Sequence, residues 1–163
     1  QNVFGAGQSL QNPYTGILSI FSNQILNGNP LNIFEDGLMT RDFININDTV
    51  EATILSLESE AANNQVINIG TGIARSVLSI TQLLINAYGS NVSLNISGDF
   101  RLGDIRHNFA DIKKANRLLN YQPKADCEKG IQQFTDWVRQ QPRLDNHLNR
   151  SLQEMKDKGF LKS

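Results

Sequence analysis

Two arginines and one aspartate are the residues of this sequence best suited to binding a charged ligand. Arg41 stands between an Asp-Gly turn and an apolar alternation, at the start of a predicted strand. Arg101 lies in a loop with Gly103 and Asp104, where the glycine lets the backbone approach a ligand closely. Two guanidinium groups from separate loops could bind a diphosphate in a bidentate manner, whereas a lysine would act as a point charge. Asp104 could accept hydrogen bonds from ribose or sugar hydroxyls.

Each of these residues also has a plainer interpretation. An isolated arginine is more often a surface salt-bridge partner than a ligand-binding group. Asp104 could simply pair with Arg106, two residues further on. A diphosphate site therefore requires a fold that brings the two loops together.

No other set of residues forms an acid, base, nucleophile or metal centre. His107 and His147 lie far apart, with no companion cysteine or paired carboxylate, so we expect no metal site. Cys127 stands between Asp126 and Glu128, whose charges disfavour the thiolate, so we expect an inert residue at the start of a helix. The sequence therefore predicts no catalytic residue in this chain.

Gly70-Thr71-Gly72 lies between a predicted strand and a predicted helix, where a dinucleotide-binding turn would lie. The full fingerprint needs a third glycine three residues after the second, and position 75 is arginine. No acidic residue follows at the expected distance in a second strand. The favoured interpretation is a tight turn between a strand and a helix.

Length, charge and composition indicate one ordinary folded domain. A chain of 163 residues can bury one core, so we expect a single domain, 1–163. The net charge of −1 gives no basic surface for nucleic acid or for a membrane. No apolar run reaches the roughly 20 residues needed to span a bilayer. The single cysteine excludes an internal disulfide and favours a reducing, cytoplasmic location.

Hydrophobic periodicity predicts strands that alternate with helices, which is typical of a mixed α/β arrangement. In the helix at 48–59, Val50, Ile54, Leu55 and Leu57 are predicted to face inward, with Asn47-Asp48-Thr49 as the N-cap. The predicted helices cover residues 17–28, 48–59, 76–88, 111–119 and 128–140, followed by a closing C-terminal helix within 141–163. The predicted strands cover residues 31–34, 42–46, 65–69 and 92–96, after a strand end at 1–4.

Several segments, in this order and spacing, together resemble an extended short-chain dehydrogenase/reductase. Its nearest branch is the NAD-dependent nucleotide-sugar epimerases and dehydratases, the UDP-glucose 4-epimerase-like enzymes that act on UDP- or dTDP-hexoses. The similarity runs from residue 1 to about residue 140. The segments that carry it are Asn-Val-Phe-Gly-Ala-Gly-Gln at 2–8, Arg-Asp-Phe-Ile-Asn-Ile-Asn-Asp at 41–48, Asn-Ile-Gly-Thr-Gly at 68–72, Arg-Leu-Gly-Asp at 101–104 and Ala-Asp at 110–111.

The resemblance implies a Rossmann-type fold that carries NAD, to which this chain contributes sheet strands plus the smaller substrate-binding domain. It places Gln1 near the cofactor and Asn2 beside the diphosphate or the sugar. Arg41 and Arg101 would hold the diphosphate, and Asp104 the ribose. The residues implied to frame the nucleotide base are Gly16, Ile17, Asn32, Ile33 and Phe34.

Two features of that family do not occur in this chain. They are the Gly-rich NAD loop and the catalytic Tyr-x-x-x-Lys, and in the family both precede the part that matches residue 1 here. We therefore expect the substrate-binding, C-terminal part of a longer NAD-dependent enzyme, which is inactive and does not bind NAD tightly by itself. The alternative is a stand-alone sugar-nucleotide-binding or structural interaction module without catalysis. The base, the hexose and the choice between epimerisation and dehydration stay open.

An incomplete parallel sheet would follow from this interpretation. Gln1–Phe4 and Gln65–Ile69 would be strands whose neighbours are missing, and parallel strands are normally covered on both faces. Exposed strand edges pair readily with other chains. The sequence therefore predicts self-association.

Overall fold

The computed structural model describes residues 1–10, 16–142 and 148–162. Helices and short strands alternate along the chain, as the periodicity predicts. The helices are α1 (Ile17–Leu26), α2 (Ile46–Glu58), α3 (Val77–Tyr88), α4 (Lys113–Leu119), α5 (Cys127–Arg139) and α6 (Leu148–Asp157), with a 3-10 turn at Glu60–Ala62. The strands are β1 (Asn2–Phe4), β2 (Leu31–Ile33), β3 (Thr40–Arg41), β4 (Phe43–Asn45), β5 (Arg75–Ser76), β6 (Leu94–Ile96), β7 (Phe100–Arg101) and β8 (Leu161–Lys162).

The strands pair two by two in the described part of the chain. β1 lies parallel to β4, with Asn2 opposite Phe43, and β2 lies parallel to β6. β3 and β5 are antiparallel, as are β7 and β8. The fold class is therefore mixed α/β, as predicted from the alternation of elements.

The larger of two hydrophobic clusters lies between α1, α3 and α5 and the strands β1, β2 and β4. Phe4 and Phe134 meet edge to face, with ring centroids 6.5 Å apart, and both side chains are buried. Leu31 and Leu84 are fully enclosed in the same cluster. Each such side chain stabilises the fold by about 1.5–3 kcal/mol through removal of apolar surface from water. This cluster holds the elements that surround the candidate site.

The smaller cluster joins α2 and α4 around Ile44, Ala52, Ala115, Leu119 and Tyr121. The buried Tyr121 hydroxyl donates to the Gly70 carbonyl oxygen at 3.0 Å. This contact ties the smaller cluster to the turn at 70–72.

The N-cap predicted for α2 is wrong by a few residues. The cap is Asn45, the last residue of β4, whose side chain accepts from the Asn47 N–H at 2.9 Å. Asp48 is buried instead, and its carboxylate accepts from the backbone of Lys124 and Ala125. The strand thus passes directly into the helix, and Asp48 fastens the segment that leads to α5.

The inward face predicted for α2 is also largely wrong. Val50 and Ile54 are about half exposed, and Leu57 is 83% exposed. The buried Asp48 and Ala52, one helical turn apart, turn the opposite face of α2 toward the body of the protein. Leu55 alone of the predicted inward residues packs against the smaller cluster.

The strand predicted at 65–69 is absent from the described residues. Ile67 and Ile69 pack on the smaller cluster, whereas Val66 is 86% exposed and its carbonyl accepts from Lys114 Nζ. The segment alternates like a strand because Ile67 and Ile69 are partly buried while the residue before each of them is exposed. It has no paired strand beside it in the described part, so it makes no ladder.

The end of the chain contains more than the predicted closing helix. After α6 the chain turns at Gly159 and forms β8, and residues 143–147 and 163 lie outside the described ones. None of the described helices has the length and apolar character to cross a membrane.

Candidate functional site

A cavity of about 730 Å³ opens between β1, the start of α1, β2, β3 and β7. Elements from residue 1 to residue 155 contribute to its wall. All ten residues that the sequence singled out line it, namely Gln1, Asn2, Gly16, Ile17, Asn32, Ile33, Phe34, Arg41, Arg101 and Asp104. The fold thus brings together loops that are 60 residues apart in the chain.

Gly16 is favoured at the start of α1 by its backbone conformation. Its φ is 80°, a left-handed conformation that favours glycine, and its carbonyl accepts the first bonds of the helix from Ser19 and Ile20. A side chain at this position would meet the Gln8 amide nitrogen at 2.4 Å.

Arg41 is held firmly by groups of the protein. Its Nη1 donates to the carbonyl oxygens of Thr40 at 2.8 Å and of Arg106 at 3.1 Å. Its Nη2 donates to Asp104 Oδ1 at 2.8 Å, and the side chain is 15% exposed. A guanidinium has five N–H groups, so these three bonds leave two for a ligand.

Asp104 pairs with Arg41 rather than with Arg106, the partner considered from the sequence. Its Oδ1 accepts from Arg41 and from the Ile105 N–H, so Oδ2 is the oxygen that remains for another donor. Arg106 instead donates to Glu35 and Asp36. That guanidinium lowers the pKa of the Asp36 carboxyl through its hydrogen bond, and the Leu38 N–H adds to the effect.

Arg101 reaches the cavity from the other side and is held differently. Its guanidinium carbon lies 5.3 Å from the centre of the Phe34 ring, a cation–π arrangement. Its Nε is buried and donates to no described residue. A buried donor without a partner costs about 1–3 kcal/mol, so a ligand oxygen placed here would relieve that cost.

Asp42, next to Arg41, is the residue that connects the surrounding loops. Its carboxylate is fully buried and accepts from Thr71 N–H and Oγ1, from Gly72 N–H and from Ala110 N–H. Its backbone carbonyl accepts from the Asn2 N–H at 2.9 Å. Asp42 thus fixes Asn2, the 70–72 turn and the loop before α4 around the strand that carries Arg41.

The 70–72 turn does not fit a dinucleotide. The N–H groups of Thr71 and Gly72 donate to Asp42, so they are not free to cradle a pyrophosphate. A Cβ on Gly70 would lie 2.4 Å from Asp42 Oδ2 and 2.6 Å from Ala110 Cβ. This glycine therefore permits close packing around a carboxylate, which agrees with the interpretation as a tight turn.

Several residues of the cavity were not found by sequence reasoning. Gln8 belongs to the family-like segment at 2–8 and could have been suspected from it. Met39 and Met155 carry no signal of their own, because only the fold places them at the site. The residues missed in this way include Gln8, Gln24, Glu35, Met39, Leu152 and Met155.

The environment of Cys127 disfavours its thiolate. Burial raises the pKa of the Cys127 thiol, with a further contribution from Asp126 and Glu128, so the thiol stays protonated at neutral pH. Cys127 is the first residue of α5, as predicted. Within the described residues no three His, Cys, Asp or Glu side chains lie together in a way that could hold a metal ion.

Comparisons with known proteins give the same family throughout. A family model described as the NAD dependent epimerase/dehydratase family matches residues 1–70. The dTDP-L-rhamnose 4-epimerase of Burkholderia thailandensis is 36% identical over 141 residues, which are 86% of this chain and 39% of the relative. The chain thus spans about two fifths of the length of such relatives.

Solved structures of this family share the fold. The UDP-N-acetylglucosamine 4-epimerase of Methanobrevibacter ruminantium, in complex with UDP-N-acetylmuramic acid, matches with a TM-score of 0.76 and 31% identity, over 86% of this chain and 44% of that one. The UDP-glucuronic acid 4-epimerase of Bacillus cereus, in complex with UDP-glucuronic acid and NAD, matches with a TM-score of 0.73 and 31% identity, over 85% of this chain and 43% of that one. From its sequence and its fold, the chain belongs to the NAD-dependent epimerase/dehydratase family of nucleotide-sugar enzymes.

Proposed function

We propose that this chain is the substrate-binding part of an NAD-dependent nucleotide-sugar epimerase or dehydratase and that it binds the diphosphate of a UDP- or dTDP-hexose. The observation that carries the proposal is the convergence of Arg41, Arg101 and Asp104 on one cavity. The relatives named above act on sugar nucleotides, as their names state.

The two arginines play different parts in this proposal. Arg41 has two N–H groups left and is already oriented by Asp104 and two carbonyls, so it binds a phosphate oxygen without reordering. Arg101 gains a partner for its buried Nε. Asp104 Oδ2 accepts a ribose hydroxyl, and Phe34 offers an aromatic face to the base side of the nucleotide.

NAD supplies hydride chemistry in this family, but the 70–72 turn of this chain is not free to cradle its pyrophosphate. The glycine turn at 70–72 is filled by Asp42, and no tyrosine of the sequence has a lysine four residues on. The proposed role of this chain is therefore binding and positioning, with Gln1 at the edge nearest the cofactor. Turnover of a sugar nucleotide by the purified chain, or tight binding of NAD, would overturn this part.

Titration calorimetry with UDP-glucose, dTDP, GDP-mannose and inorganic pyrophosphate tests the proposal. Arg41→Ala and Arg101→Ala should each weaken binding by about 1.5–3 kcal/mol, or about 10- to 150-fold in Kd. Arg117→Ala is the matched control, because it removes one exposed positive charge from α4 outside the cavity. If both cavity variants bind within about twofold of the original protein, the diphosphate site is wrong.

The rival function is a structural or interaction module that binds no nucleotide. It predicts no heat with any of these ligands. Our proposal of a substrate-binding part also includes self-association, which we expect from exposed strand edges. It includes a cytoplasmic location as well. Light scattering across a range of concentrations checks the former, and a monomer at every concentration would contradict it.

A further inference from the structure

The C-terminal segment (148–162), which comprises α6 and β8, forms one wall of the cavity. We propose that this segment is part of the nucleotide-sugar site and that the Met155 side chain contacts the uncharged part of the bound ligand. The inference rests on the proposed function but goes beyond it, since the residues assigned above all precede position 105.

Two side chains of α6 carry the proposal. Leu152 and Met155 lie three residues apart, on one face of the helix, and both line the cavity. Met155 is 8% exposed although α6 lies at the end of the chain. Its side chain therefore lies at the cavity wall and is largely shielded from solvent.

The C-terminal segment is attached to the strand that carries Arg101. In the β7–β8 pair, Arg101 lies opposite Leu161 and Phe100 opposite Lys162. The Leu102 N–H donates to the Phe160 carbonyl at 2.9 Å, and the buried Leu161 anchors the strand.

The connection between β8 and Met155 is equally short. The Phe160 N–H donates to the Met155 carbonyl oxygen at 2.8 Å. One continuous run of backbone bonds therefore joins the Arg101 strand, β8 and the residue that lines the cavity. Arg101 and Met155 are thus joined through β7 and β8, and both line the cavity.

The chemistry of the wall indicates which part of the ligand it meets. A thioether and an isobutyl group offer no hydrogen-bond donor to a phosphate, whereas they suit the flat face of a base or the carbon face of a hexose. The diphosphate already has the guanidinium groups of Arg41 and Arg101 as its polar partners in the proposed site. Met155 should therefore contribute to binding of UDP-glucose and not to binding of pyrophosphate.

The sequence offers a direct test because it contains two methionines, Met39 and Met155, and both line the cavity. Labelling the full chain with 13C-methyl methionine gives two NMR methyl signals. One comes from Met39, just before β3, and the other comes from Met155 in the C-terminal segment. The Met155→Leu spectrum, which lacks one signal, assigns them. We expect UDP-glucose to shift both.

Each outcome of this titration decides something different. A shift of Met39 alone overturns the inference and leaves the proposed function standing. If neither signal shifts although calorimetry shows that UDP-glucose binds, the inference fails and the proposed function stands; if calorimetry shows no binding either, both fail. A shift of Met155, with or without Met39, supports the inference.

Binding measurements provide a second, independent test. Met155→Ala should weaken binding of UDP-glucose by about 5- to 20-fold and leave binding of pyrophosphate within about twofold. Lys156→Ala, an exposed neighbour on α6, is the control, and Met155→Leu should restore most of the affinity because it keeps the apolar volume. Equal affinity for UDP-glucose in the original protein and in Met155→Ala would overturn the inference.

Discussion

Arg41 and Arg101 face the same cavity, yet one is surrounded by partners and the other is not. Arg41 makes three hydrogen bonds to Thr40, Asp104 and Arg106, on a strand whose next residue, Asp42, holds two further loops. Arg101 lies on a two-residue strand, stacks on Phe34 and leaves its buried Nε unpaired among the described residues. The Arg41 side is held by groups of the protein itself, whereas the Arg101 side contains a buried donor that no described residue pairs.

This difference separates stability from binding. On the Arg41 side the same hydrogen bonds hold the fold together and orient the guanidinium, so substitutions there should change both properties. On the Arg101 side the protein gains little from the charged group itself. Substitutions there should change binding while the free energy of unfolding changes little.

Asp42→Ala should have the largest effect. Four donors would lose their buried acceptor, and hydrogen bonds to a charged group are worth about 1.5–3 kcal/mol each, so we expect the free energy of unfolding to fall by at least about 3 kcal/mol. Urea unfolding measures this. Asp42→Asn keeps one acceptor oxygen, so its free energy of unfolding should lie between those of the original protein and Asp42→Ala.

Asp111→Ala is the control for this substitution. Asp111 is also a carboxylate that accepts from a backbone N–H, that of Lys113, but it is exposed. Water can replace it, so the loss should be much smaller. If Asp42→Ala and Asp111→Ala unfold at the same urea concentration, Asp42 does not hold the Arg41 side together.

Much of the fold can be predicted from the sequence because it depends on local signals. The helix predicted at 76–88 matches α3, since the hydroxyl cap of Ser76 and the left-handed Gly89 act within a few residues. The face of α2 could not be predicted in this way. Which side of an amphipathic helix is buried depends on what lies beside it. In α2 the side with Asp48 is buried, and Val50, Ile54 and Leu57 are exposed.

The candidate site could likewise be predicted only in part. The resemblance to a family gave ten residues, and the fold brings all ten to one cavity. The partners of those residues had no local signal. Asp104 is 63 residues from Arg41, its salt-bridge partner, and Met155 is more than 50 residues from Arg101 in the chain.

A comparison of the two arginine variants sharpens the contrast directly. Arg41→Ala should lower the free energy of unfolding by about 1–3 kcal/mol, because two carbonyls and Asp104 lose their donor. Arg101→Ala should lower it by less than about 1 kcal/mol, the usual worth of a partly exposed cation–π contact. Urea unfolding of both, with Arg117→Ala as the control, measures the difference. Equal losses would show that the two sides are held alike.

Tyr121→Phe should have a small effect, comparable to that of Arg101→Ala, and tests the support beneath the Arg41 side. The hydroxyl donates to the Gly70 carbonyl, so its loss should cost about 1 kcal/mol at neutral pH. Burial, followed by the charges of Asp48, Asp42 and Glu51, raises the pKa of Tyr121 from 10.0 to about 12. The folded protein therefore keeps this phenol neutral where the unfolded chain ionises it.

The sign of the pH dependence follows from that shift. The stabilisation from Tyr121 is fully present below pH 10 and is lost as the pH rises toward 12, because the unfolded chain releases the proton first. The difference in unfolding free energy between the original protein and Tyr121→Phe should accordingly shrink across this interval. Urea unfolding at several alkaline pH values measures it. A difference that stays constant from neutral pH to pH 12 would mean that the phenol has the same pKa in the folded and unfolded chains. In that case the Tyr121 hydroxyl is not enclosed beside the 70–72 turn, and this support of the Arg41 side is wrong.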